Sequence, residues 1–152
     1  MSYPANLQKI IDLFEHLSDE EKRETLISYA DQAAQQEPRE GEQFSLEDVR
    51  KDEECTDTVG IFLKVSPEGL ASFRVALGPQ VQTLTRAMTS ILCKGLNQST
   101  AQTILDVPAD FVPRIVGAEL VRVRSHTVYY ILTRMKGALK VYLARERAAH
   151  PE

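Results

Sequence analysis

The chain has 152 residues, 43% of them hydrophobic and 26% charged, with a formal net charge of −4. Such a length predicts one domain, 1–152, with room for a proper core, and the composition is that of an ordinary soluble globular protein. The acidic balance leaves no footprint for nucleic acid, and the apolar runs are too short to cross a membrane.

The start, Met1-Ser2-Tyr3-Pro4-Ala5-Asn6, lacks the basic and apolar regions of an export signal. Together with only two cysteines, Cys55 and Cys93, this predicts reduced thiols and a cytoplasmic location. An internal Cys55–Cys93 bridge is the alternative, disfavoured because Cys93 falls in a helical pattern.

Asn6 reads as the N-cap of a first helix with Leu7, Ile10, Ile11, Phe14 and Leu17 on one face. Ser18 and Glu21 form a capping-box signature for a second helix, whose apolar side is Leu26, Ile27, Ala30, Ala33 and Ala34 before Pro38 and Gly41 end it. Residues 37–54 are rich in charge and predict a long surface connection with a short edge strand near Val49.

Val59, Ile61, Leu63 and Val65 then alternate with Thr58, Gly60, Phe62 and Lys64, the clearest strand pattern in the chain. Ser66-Pro67-Glu68-Gly69 predicts a tight reversal into an antiparallel strand from Leu70 to Ala76. Gly78-Pro79 reads as the opening of a helix striped by Val81, Leu84, Met88, Ile91 and Leu92, with Gly95 closing it.

Ser99 and Gln102 suggest another capping box before a short helix ending near Leu105. Pro108, Pro113 and Gly117 predict turns over 106–124, with one helical turn around Phe111. Ser125 caps a long last helix striped by Val128, Ile131, Leu132, Met135, Leu139, Tyr142 and Leu143, and Gly137 within it suggests close packing. Helices, then a small antiparallel sheet, then helices make an α+β fold.

Much familiar chemistry is missing. His16, His126 and His150 are scattered without ligand spacing, so no zinc motif is present. The seven glycines form no phosphate loop, and no G-x-S-x-G elbow occurs. The acidic 37–54 segment lacks the alternating ligand pattern of a calcium loop and reads as solvated surface.

The cysteines remain. Cys93, next to Ile91 and Leu92, reads as a small core residue. Cys55 stands where a polar loop meets a buried strand, and two readings stay open for it: an incidental surface thiol or a reactive one.

The order of these elements resembles the SufE/CsdE family of sulfur-acceptor proteins over about Leu7 to Arg145. The family places a reactive cysteine in a loop before a strand, as Cys55 stands before Val59-Gly60-Ile61-Phe62-Leu63. Gly95 and the run Ser99-Thr100-Ala101-Gln102-Thr103-Ile104-Leu105, followed by Asp106 and Phe111, are similar to its later landmarks, as is Arg124-Ser125 before the last helix. The sequence departs from the family at Glu54 (usually Gly), at Thr56-Asp57 (often Gln-Ser), at Gly60 (usually Trp) and at His126-Thr127 (commonly Asn/Gln-Gly).

The resemblance implies a persulfide carrier rather than an enzyme, with no cofactor and no metal. Cys55 would accept sulfur from a cysteine desulfurase and pass it to a cluster scaffold, while Arg124 orients the loop or favours the anion. The rival readings are a regulatory module that docks on a desulfurase without using Cys55, and a thiol hydrolase or peroxidase, for which no histidine lies near Cys55 in sequence. A cluster scaffold is weaker still, since a cluster normally takes four ligands. Glu53, Glu54 and Asp57 surround Cys55 in sequence with negative charge, which disfavours a thiolate. A sluggish resting thiol is therefore expected, unless Arg124 or Lys51 folds close.

Overall fold

The computed structural model describes residues 3–51 and 57–150. Helix α1 spans Ala5–Glu15 and buries Leu7, Ile10, Ile11 and Phe14, the face expected from their spacing. Its N-cap position is Pro4, which makes no side-chain cap bond, and Asn6 lies inside the helix. Helix α2, Asp19–Asp31, starts at the expected capping box: Glu21 N–H donates to Ser18 Oγ (3.2 Å) and Ser18 N–H to Glu21 Oε1 (2.9 Å). Leu26 and Ala30 are buried, but Ile27 points outward and is 54% exposed.

Four antiparallel strands follow in the order β1-β2-β3-β4, with β1 at Leu46–Arg50, β2 at Val59–Val65, β3 at Leu70–Leu77 and β4 only Ser99–Thr100. Strand β1 is therefore an edge, as expected near Val49, and pairs Leu46 with Leu63 and Arg50 with Val59. The preceding charged stretch is clipped onto the sheet rather than loose on the surface. Glu42 accepts from Lys64 Nζ at 2.9 Å and from Arg74 Nε at 3.4 Å, and the Phe44 ring lies 5.2 Å from Phe62.

Helix α3, Thr83–Gly95, is the hub of the interior. Met88, Ile91 and Leu92 are fully buried, as are Thr89 and Ser90 on other sides of the same helix. A helix covered all round belongs in the middle of a core, and this one packs on α1, α2, β3 and the last helix. Gly95 does not close it in a left-handed turn; the helix runs through it to Leu96. Glycine serves packing there, since a Cβ would come within 3.2 Å of the Leu7 backbone.

Helix α4, Ala101–Leu105, is capped by Thr100, which accepts from Thr103 N–H at 3.2 Å, while the expected cap residue Ser99 pairs in the sheet. The stretch expected to be mostly turns is more helical, with a 3-10 turn at Ala109–Phe111 and helix α5 at Val112–Val116. Helix α6 runs Ala118–Ala149 but breaks at Arg124 (φ −132°, ψ 34°), one residue before the expected start at Ser125. Beyond the break Val128, Ile131, Leu132, Met135 and Leu139 are buried as their spacing requires. Gly137 is exposed with nothing near its missing Cβ, so it does not mark close packing.

Candidate functional site

Cys93 lies on α3 and is 4% exposed, a free thiol within the core. Burial pushes its pKa up to about 12, so the reactive thiolate is scarce at neutral pH. The core reading of Cys93 holds. Cys55, with Asp52, Glu53, Glu54 and Thr56, lies outside the described residues. What the structure gives is the frame from which the 51–58 connection springs, between Arg50 at the end of β1 and Val59, its partner at the start of β2.

Three side chains, two of them from distant helices, fix that frame. Arg134, from α6, is 3% exposed. Its Nη2 donates to the carbonyls of Asp48 (2.8 Å) and Val59 (3.0 Å), its Nε to Asp48 Oδ2 (3.3 Å) and its Nη1 to Tyr130 Oη (2.5 Å). A buried charge is tolerable only when its donors are satisfied, and these bonds clamp the middle of β1 to the first residue of β2.

Asp57 holds the other side. Its Oδ2 accepts from Gln80 N–H at 2.9 Å and its Oδ1 from Thr58 N–H at 2.7 Å. Those two bonds, Gln80 first, hold the carboxyl below the usual carboxylate range, helped by the positive charges of Lys51 and Arg86. Asp57 is thus committed to backbone donors, whereas the sequence was read only for the negative charge it places near Cys55.

Arg86 completes the frame by donating from Nη2 to the Gly78 carbonyl (2.8 Å) and from Nε to that of Val81 (3.1 Å). Residues 78–82 therefore form a turn bound by side chains on both sides, not the first turn of a helix, and α3 begins only at Thr83. Pro79 was misleading because the competing bonds come from Asp57 and Arg86, which periodicity does not weigh.

Arg124, at the break in α6, is exposed and donates from Nη1 to Gln82 Oε1 at 3.0 Å. It thus reaches the same short segment that Asp57 grips at Gln80. It also lines a groove of about 590 Å³ with Arg23, Leu26, Ile27 and Leu120. The next residues, Ser125 and His126, turn to a different cleft of about 660 Å³ beside Arg50, Tyr129 and Arg134. Arg134 and Arg86 were not singled out from the sequence. Arg134 carried a signal, being a charged residue three positions after Ile131 on the buried arc of α6; Arg86 carried none.

Among the described residues no group of three His, Cys, Asp or Glu side chains converges on a metal-sized site, and no helix is long and apolar enough to cross a membrane. Residues 8–139 match the family described as SufE, Fe-S metabolism associated domain. The chain belongs to the SufE family.

Two solved structures share the SufE-family chain's α+β fold. A hypothetical protein from Thermus thermophilus is 20% identical, with a TM-score of 0.69 over 94% of this chain and 99% of its own. A nitrogen-fixing NifU-like protein (N-terminal) from Brucella abortus is 12% identical, with a TM-score of 0.53 over 76% of this chain and 89% of its own. At such identities the likeness is one of fold. No curated protein matches the chain.

A Cβ on Gly60 would come 2.9 Å from the Phe62 ring and 3.0 Å from Val49 Cγ2, so neighbouring side chains fill the space a larger residue would need.

Proposed function

We propose that this SufE-family chain is a sulfur carrier, with Cys55 accepting persulfide sulfur from a cysteine desulfurase and relaying it to a scaffold for iron–sulfur cluster assembly. The observation that carries this reading is the contrast between the thiols: Cys93 is sealed in the core with its pKa pushed to about 12, which leaves the chemistry to Cys55. The frame around 51–58 supports it, since strands pinned by Arg134 and Asp57 present a carrier residue from a fixed base.

The transfer needs no external oxidant or reductant. The Cys55 thiolate attacks the outer sulfur of the desulfurase persulfide, a sulfur–sulfur bond forms at Cys55, and the desulfurase cysteine departs as a thiolate. The transferred sulfur keeps its proton, so charge and atoms balance. Arg124, held by Gln82, is assigned a supporting part at the edge of this site as an orienting cation.

Incubation with a desulfurase and free cysteine, followed by intact-mass measurement with and without reductant, tests the reading. The chain should gain the mass of one sulfur atom, reductant should remove it, Cys93→Ser should retain the gain and Cys55→Ser should lose it. Sulfur on Cys93, or on neither cysteine, would overturn the carrier role. A Cys55→Ser chain that still stimulates the desulfurase fully would instead favour a docking regulator.

A further inference from the structure

Gly78 is a glycine whose reason is not conformational. Its φ lies outside the left-handed region that Gly41, Gly69 and Gly117 occupy. A methyl group there would instead meet a carboxylate: an ideal Cβ falls 2.2 Å from Asp57 Cγ and 2.3 and 2.4 Å from its two oxygens. The Asp57 side chain thus fills the space above Gly78, while the Gly78 N–H donates to the Thr58 carbonyl at 2.9 Å and extends the β2–β3 ladder by one rung.

We propose that Asp57 is a positioning residue, whose carboxylate, seated over Gly78 and bonded to Gln80 N–H, fixes the β2 end of the connection that carries Cys55. The proposal rests on the reading of Cys55 as the sulfur carrier. Its physical content is a tether: two residues of backbone reach at most about 7 Å, so the anchor at Asp57 fixes the point from which the chain leaves β2 toward position 55. Bonds from backbone N–H to an ionised carboxylate are stronger than neutral ones, and Arg86 holds the receiving turn from its other side through the Gly78 and Val81 carbonyls. Gly78 and Asp57 are therefore one device written at two distant places in the sequence.

That pairing separates anchoring from charge. Asp57→Ala removes both the anchor and a negative charge, whereas Gly78→Ala keeps the charge but ejects the carboxylate from its seat. Each should raise the exchange rate of the Gln80 amide proton and speed alkylation of Cys55 by iodoacetamide several-fold, with the modified site mapped by mass. Each should also raise the concentration of chain needed for half-maximal desulfurase stimulation, with a smaller effect on the saturated rate. Asp57→Asn, which keeps one acceptor oxygen, should restore part of the wild-type protection.

The double variant decides the matter. With Asp57→Ala already in place, Gly78→Ala should change nothing further. If Gly78→Ala alone does not fold, recovery of folding in the Asp57→Ala background is the same coupling seen another way. Additive effects, or a Gly78→Ala chain with wild-type exchange at Gln80 and wild-type alkylation, would overturn the proposal. A coupled alkylation cycle in a chain that never gains sulfur would leave the anchor standing and sink the carrier reading instead.

Discussion

The β2–β3 hairpin closes on its own residues. Gly69 takes φ 84°, its N–H donates to the Ser66 carbonyl at 2.9 Å, Ser66 N–H returns to the Leu70 carbonyl at 2.9 Å, and Ser66 Oγ accepts from Leu70 N–H at 3.1 Å. The β1–β2 hairpin, at the other end of β2, is closed from outside. Arg134 arrives from 75 positions beyond Val59, and the anchor of Asp57 lies 23 positions on at Gln80. A turn that is its own scaffold holds its shape whatever surrounds it. One held by remote side chains depends on the packing of distant elements, and a change far away in the sequence can loosen it.

The largest test of that difference is Arg134→Met, which removes the bonds from α6 to Asp48 and to the Val59 carbonyl. A loss of about 3 kcal/mol is expected, the lower end for a broken buried pair, because the Asp48 side chain is 29% exposed. Urea unfolding should show a lower midpoint at unchanged slope; an unchanged midpoint would deny that the open hairpin depends on α6.

On the self-closed hairpin, Gly69→Ala meets no atoms within 4 Å and suffers only from its backbone angle. It should cost about 1–2 kcal/mol and leave Cys55 alkylation unaltered. Ser66→Ala should cost less, about 0.5–1.5 kcal/mol for one hydrogen bond, again by urea midpoint.

The smallest effect concerns pH. The hydrogen bond from Lys64, then the backbone N–H of Arg39, hold the Glu42 carboxyl down at about 2. An unfolded glutamate titrates near pH 4.3, so the folded state binds fewer protons. The resulting stabilisation is complete above that pH and is lost as pH falls toward 2. Glu42→Gln should therefore reduce stability at pH 7, and its difference from wild type should fade in unfolding curves taken between pH 4 and about 2.

How legible each region was follows from the same contrast. Val59–Val65 could be read residue by residue because alternation is local, and so could the Ser66–Gly69 turn and the Ser18–Glu21 box, whose partners lie within a few positions. The stripe from Val128 to Leu139 was equally plain. The site was less so. Arg124 was singled out by resemblance, but its contact with Gln82 required the fold, and Asp57 was read as a charge because its acceptor role depends on Gln80. Gly78 and Gly95 misled for one reason: both looked like backbone punctuation, and both are spaces kept for another residue, Asp57 in one case and Leu7 in the other.

The break at Arg124 has a consequence for the winding of α6. In an unbroken α-helix each added or deleted residue turns everything beyond it by about 100°, which would swing Val128, Ile131 and Met135 out of the core. A helix interrupted at Arg124 and preceded by Gly117 at φ 90° has two joints that absorb such a phase error. A one-residue deletion among 118–123 should therefore leave the long half facing α3, whereas deleting Thr133, beyond both joints, should turn Arg134 about 100° out of phase with Val128 and Ile131 and away from β1 and β2.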